Sequence, residues 1–115
     1  FRPVFFQPTF HKFGGQTIGG VALHVTNRAH MQPLRVGVHM LGAIHRLYGK
    51  KLVWRTKAYE FVTDRLAIDL LFGECDIRSV IESNASPDTL DAAWSAWQAE
   101  ALEFEKQRAP YLRYS

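Results

Sequence analysis

Five histidines, at positions 11, 24, 30, 39 and 45, are the first residues of this chain that invite a chemical reading. No two stand four apart, the spacing that puts two imidazoles on one helical face to hold zinc, so spacing alone builds no metal site. His45 falls beside Leu41 and Tyr48 as a half-buried helix residue, and His39 falls on the solvated face. Five carboxylates, Glu60, Asp64, Asp69, Glu74 and Asp76, crowd one stretch. A glycosidase needs two of them about 5 to 9.5 Å apart across a sugar, a distance that spacing along a chain does not set. Asp69 sits inside the apolar run AIDLLF, where a carboxylate must be hydrogen-bonded or paired. A structural bond to backbone NH groups or to an arginine outweighs catalysis there, and the same caution holds for Glu60 after Tyr59.

Cys75 is the only cysteine, which excludes an internal disulfide and a Cys-rich zinc site. It precedes a short helix, where a thiolate is favoured, but no base is near it in sequence and it reads as an inert, half-buried thiol. Nucleotide binding has no support, since neither GxGxxG nor a Walker-type loop is present. No cofactor is called for.

The polar residues worth following lie in GGVALHVTNRAH at 19–30. Val21, Leu23 and Val25 alternate with Ala22, His24 and Thr26, the pattern of a half-buried strand over 21–26 whose second face carries a histidine and a hydroxyl and exits through Asn27 and Arg28. Lys12 and Arg28 both stand near glycines at chain turns, where solvent exposure is the default for a cation.

The elements that must position these residues can be read in order. Pro3 and Pro8 among Phe1, Phe5, Phe6, Phe10 and Phe13 favour extended or edge segments, a docking strip. Gly14-Gly15 and Gly19-Gly20 punctuate the entry into the strand. Pro33, followed by Leu34, Val38, Leu41, Ile44 and Tyr48 at 3-to-4 spacing, predicts a helix over 33–48, with Arg35, His39 and Arg46 on its far face. LVW at 52–54 and YEFV at 59–62 read as short strands, and 64–72 reads either as a helical turn closed by Gly73 or as a strand. A brief helix follows from 76 to about 84.

Ser86-Pro87-Asp88 is a helix start with a hydroxyl cap, a proline in the first turn and an acid at the positive end of the dipole. Leu90, Trp94, Trp97, Ala101 and Phe104 then recur at 4, 3, 4, 3, so a helix of about five turns lays one stripe on the domain and Pro110 ends it. That regular place in a stripe makes Trp94 and Trp97 packing residues ahead of sugar-stacking ones. The class is α+β, a small sheet packed against two main helices and one short helix.

At 115 residues, 47% of them hydrophobic, the chain suits one domain with a modest core. A net charge of +3 from interspersed acids and bases demands no nucleic-acid partner, and no apolar run reaches the roughly 20 residues that span a bilayer. The opening FRPVFFQPTF, in full apolar stride, reads as a piece cut from a longer polypeptide.

An ordered series of short motifs extends this reading. PTFHKFGG (8–15), GGVALHVTNR (19–28), PLRVGVHML (33–41), YEF (59–61), IDLLFG (68–73), IR (77–78), a Trp-containing helix and FEKQRAPYLRY (104–114) occur in sequence. Together they resemble the C-terminal domain of the NamZ-type exo-β-N-acetylmuramidases, over essentially the whole chain. Thr17 and Asn27 depart from the pattern, which often has cysteine and aspartate there. The resemblance implies a two-part, extracytoplasmic enzyme of peptidoglycan recycling. A larger Rossmann-like N-terminal domain would hold the catalytic carboxylate and release N-acetylmuramic acid from non-reducing ends, and this smaller domain would line or brace the cleft. No catalytic residue is then expected here. His24, Thr26 and Arg28, with Lys12 and His11, become candidates for substrate positioning or interdomain contact, Arg28 or Lys12 suiting the sugar's lactyl carboxylate. A purely structural role for His24 and Arg28, fixing the strand's exit turn, stands beside that. So do two other readings of the domain, an independent carbohydrate- or peptidoglycan-binding module and a structural or dimerisation domain.

Overall fold

A computed structural model of the chain describes residues 1–73 and 76–114. Glu74 and Cys75, and the expectations attached to them, lie outside the described residues. The order is β1 (Arg2–Phe6), β2 (Ile18–Ala22), α1 (Pro33–Tyr48), α2 (Ala67–Leu71), α3 (Ile77–Glu82) and α4 (Pro87–Arg108), with single 3-10 turns at Gly49–Lys51 and Ala109–Tyr111. The class is α+β, with a two-stranded antiparallel sheet, two long helices and two short ones. Two compact units divide the chain, Phe1–Met31 and Gln32–Ser115.

In the first unit β1 and β2 pair antiparallel, Arg2 opposite Ala22 and Phe6 opposite Ile18. Proline is tolerated at Pro3 because a two-stranded sheet consists only of edges. The paired glycines do more than punctuate. Gly19 and Gly20 lie inside β2, and a Cβ on them would meet the rings of Phe5 at 3.6 Å and Phe6 at 2.6 Å. Only at Gly20 does the missing side chain make room for a ring; at Gly19 the contact would be an ordinary one. The strand expected over 21–26 is displaced towards the N-terminus: β2 spans Ile18–Ala22, and its pairing with β1 ends at Arg2 opposite Ala22.

The second unit is helical. Pro33 opens α1 and Gly49, at φ 50°, closes it, over the range that spacing predicts. Ser86 caps α4, its Oγ accepting from the Thr89 amide at 3.2 Å. The ambiguous stretch resolves as the helical turn α2, with Gly73 (φ 74°) donating to the Leu70 carbonyl at 3.3 Å. A core of Val38, Ile77, Ile81, Ala85 and Leu90 joins α1, α3 and α4, with Leu41, Trp54, Phe72, Val80 and Trp97 packed around it. Gly42 lets α1 approach α4 closely, since a Cβ there would lie 2.6 Å from Leu90 Cδ1.

Three expectations need correction. Residues 52–54 and 59–62 form no strand: Leu52 and Trp54 turn inward around an exposed Val53, but no strand among the described residues pairs with them. Tyr59 and Val62 close on each other in a tight turn, with N–H to carbonyl distances of 3.2 and 2.9 Å. The stripe of α4 is also only half used. Leu90 is buried and Trp94 and Trp97 are half-buried, whereas Ala101 and Phe104 are exposed. Among the described residues no helix is long and apolar enough to cross a membrane.

Candidate functional site

The polar candidates of the first unit stand on two loops. Residues 7–16 form a tight loop in which Gly15 N–H donates to the Pro8 carbonyl at 2.8 Å and Gln7 Nε2 donates to the Gly15 carbonyl at 2.6 Å. Further bonds run from Gly14 N–H to His11 O (3.3 Å) and from Gln16 N–H to Phe13 O (3.0 Å). His11 and Phe13 both take positive φ, 61° and 62°, conformations that side chains avoid unless their surroundings impose them. His11 and Lys12 are exposed at the loop's outer end, the His11 ring edge-on to Phe10 with centroids 4.8 Å apart.

His24, Thr26 and Arg28 lie beyond β2, on the irregular segment leading to α1, and all three are exposed. The turn there is held by Asn27, whose Oδ1 accepts from the Ala29 amide at 3.0 Å, and by Met31 N–H donating to the Arg28 carbonyl at 3.3 Å. No hydrogen bond from the His24 or Arg28 side chain to a described residue enters this turn. The Asx turn comes from a residue whose only distinction in the sequence is a departure from the family pattern.

Around these polar groups the hairpin unit is apolar and uncovered. No residue of 1–31 is buried, and Phe5 (82% exposed), Phe10 (70%), Phe1, Phe6, Val21 and Val25 all face outward. A two-stranded hairpin without a core is marginal in water.

The two carboxylates singled out from sequence differ from each other. Glu60 is exposed on the Tyr59–Val62 turn at φ 48°. Asp69, on α2, accepts from Arg78 Nε of α3 at 2.8 Å. Arg78 Nη1 also donates to Glu82 at 3.1 Å, and Glu82 accepts from Trp54 Nε1 at 2.8 Å, so one network ties α2, α3 and the segment at Trp54. The hydrogen bond that Arg78 donates to Asp69 raises the Arg78 pKa above its already high value, which keeps the guanidinium charged. No group of three or more His, Cys, Asp or Glu among the described residues is arranged to hold a metal ion.

A second charged cluster is one that residue spacing did not reveal. Asp91 of α4 accepts from Arg35 at 2.7 and 2.8 Å and lies 2.9 Å from His39 Nε2, both on α1, and Arg35 also reaches Gln32 Oε1 at 3.2 Å. His39 is thus not on a solvated face but clamps α1 to α4. Its hydrogen bond, followed by that of Arg35, holds the Asp91 carboxyl below the usual carboxylate range. The i, i+4 placement of Arg35 and His39 puts both on one face of α1, but nothing in their spacing points to the acid they meet.

A family model described as exo-beta-N-acetylmuramidase NamZ, C-terminal, matches residues 1–114. The chain belongs to this family. It is 31% identical over 114 residues to the peptidoglycan beta-N-acetylmuramidase NamZ of Bacillus subtilis (strain 168), a match covering 99% of this chain and 25% of that protein. The NamZ C-terminal domain thus spans about a quarter of the length of the curated relative it matches. No solved structure matches the chain.

Proposed function

We propose that this domain is the smaller part of an exo-acting β-N-acetylmuramidase whose catalytic, Rossmann-like domain lies upstream, and that residues 1–31 are the surface it presents to that domain. The observation that carries the reading is the hairpin unit, apolar, uncored and outward-facing, with a hydrogen-bonded polar loop at each end of its strands. Its aromatic side chains would be covered by the upstream domain. His11, Lys12, His24, Thr26 and Arg28 would then stand at the rim of the shared cleft, where a guanidinium or ammonium can take the lactyl carboxylate of a terminal N-acetylmuramic acid residue. Bond breaking is left to the other domain. Asp69 is held by Arg78 and is a structural residue in this reading, while Glu60 is on a separate unit from the five rim candidates.

The test is made in the full-length protein. Phe5→Asp with Phe10→Asp should abolish release of muramic acid while the helical unit still melts normally, because a buried unpaired charge disrupts docking and both positions lie in the other unit. Arg28→Ala should raise KM at unchanged Tm, the mark of lost substrate binding. A fall in Tm alone would assign Arg28 to the turn. Muropeptide binding by residues 1–115 alone would favour an independent binding module, and a concentration-dependent dimer would favour a dimerisation domain.

A further inference from the structure

The excess positive charge of the chain sits in one place. Residues 50–65 carry Lys50, Lys51, Arg55, Lys57 and Arg65 against Glu60 and Asp64, and the rest of the sequence holds nine basic and nine acidic side chains. The whole net charge of +3 therefore belongs to this segment. All five cations are exposed, and none pairs with a carboxylate among the described residues, whereas Arg35, Arg78, Lys106 and Arg108 are each paired. Most of this stretch, 52–66, has neither helix nor strand, a length of irregular chain that compact domains keep chiefly for function.

At its centre is a turn that breaks two local rules at once. Glu60 and Phe61 occupy the two central positions between Tyr59 and Val62 with φ of 48° and 69°, where Asn-Gly is the low-energy choice. Phe61 is 100% exposed, so neither the strained backbone nor the hydrated ring gains anything from the folded domain. Local rules broken without a return in stability point to function.

We propose that residues 50–65 bind an anionic glycan strand, the unpaired cations taking its carboxylates and the Phe61 ring lying on the apolar face of a sugar. This rests on the muramidase reading and adds to it a hold on the polymer apart from the rim at Arg28 and Lys12. Charge complementarity selects the partner class, and one fully exposed ring on a two-residue apex suits a pyranose better than a run of stacked bases.

The experiment is co-sedimentation of the full-length protein with insoluble peptidoglycan across a salt series. The variants are Lys50→Gln/Lys51→Gln/Arg55→Gln/Lys57→Gln together, and Phe61→Gly alone. The quadruple variant should lose roughly tenfold or more in affinity and most of the salt dependence. Phe61→Gly should weaken binding several-fold while Tm stays level or rises, because glycine relieves the positive φ. Unchanged binding in both variants overturns the proposal. So does Phe61→Gly lowering Tm together with binding, or wild-type protein binding duplex DNA or anionic phospholipid vesicles as tightly as peptidoglycan. A wild type that binds peptidoglycan in this way yet releases no muramic acid would retire the muramidase reading and leave the binding surface standing.

Discussion

Gly42 and Gly37 lie on the same helix, and the structure assigns opposite consequences to the same substitution. At Gly37 an added Cβ meets nothing within 4 Å, so Gly37→Ala should gain only helix propensity, about 0.5–1 kcal/mol. At Gly42 the Cβ would stand 2.6 Å from Leu90 Cδ1 and 3.3 Å from Arg46 Nη1. Leu90 is fully buried among Val38, Ile77 and Ile81, so its methyl can move only into the core, a displacement of the kind that costs about 1–3 kcal/mol. Arg46 Nη1 donates to the Ala85 carbonyl at 2.7 Å, and pushing it away strands a buried acceptor at a further cost of about 1–3 kcal/mol. Against a propensity gain of about 1 kcal/mol, Gly42→Ala should destabilise by about 1–5 kcal/mol. Thermal unfolding followed by circular dichroism at 222 nm reads both variants directly. For a unit of this size Gly37→Ala should raise Tm by about 2–6 °C and Gly42→Ala should lower it by at least about 4 °C. If Gly42→Ala were as stabilising as Gly37→Ala, α1 and α4 would not meet at Leu90, and the packing described would be wrong.

Three further outcomes follow from the helical unit. Ser86→Ala removes the α4 cap and should cost about 1 kcal/mol, seen as a Tm lowered by several degrees. The Asp91 carboxyl is held below its ordinary value, so its contribution to stability is complete above the unfolded-state pKa of about 4 and is lost as pH falls through the lower folded value. Asp91→Asn should accordingly lower Tm at neutral pH and flatten the fall of Tm below about pH 4, which a melting series from pH 7 to pH 2 would record. Arg78→Met should destabilise by leaving the half-buried Asp69 without its guanidinium, and Asp69→Asn in the same chain should recover part of the loss in a double-mutant cycle.

The helices were legible because their signals are local: proline at the first turn, apolar residues every three or four positions, and the Ser86-Pro87-Asp88 start. The hairpin was legible as extended chain but not in register, since register is a pairing of two segments that no single segment encodes. Alternation at 52–54 resembled a strand because inward Leu52 and Trp54 flank an exposed Val53, yet a strand needs a neighbour and none among the described residues lies alongside. The α1–α4 clamp at Asp91 joins residues 52 and 56 positions apart, so spacing could not reveal it. Of the candidate site, composition and spacing gave the exposed polar residues and the family gave them a context, while the left-handed conformations at His11, Phe13, Glu60 and Phe61 became visible only with the backbone in hand.

Amide hydrogen exchange of the hairpin, compared between residues 1–115 alone and the full-length protein, bears most directly on the proposed role. The amides of Arg2–Phe6 and Ile18–Ala22 should exchange rapidly in the chain alone and become strongly protected when the upstream domain is attached, while the α1 and α4 amides keep one level of protection in both. Equal exchange of the hairpin in the two proteins would mean that its aromatic face is left uncovered, and the interdomain reading would be wrong.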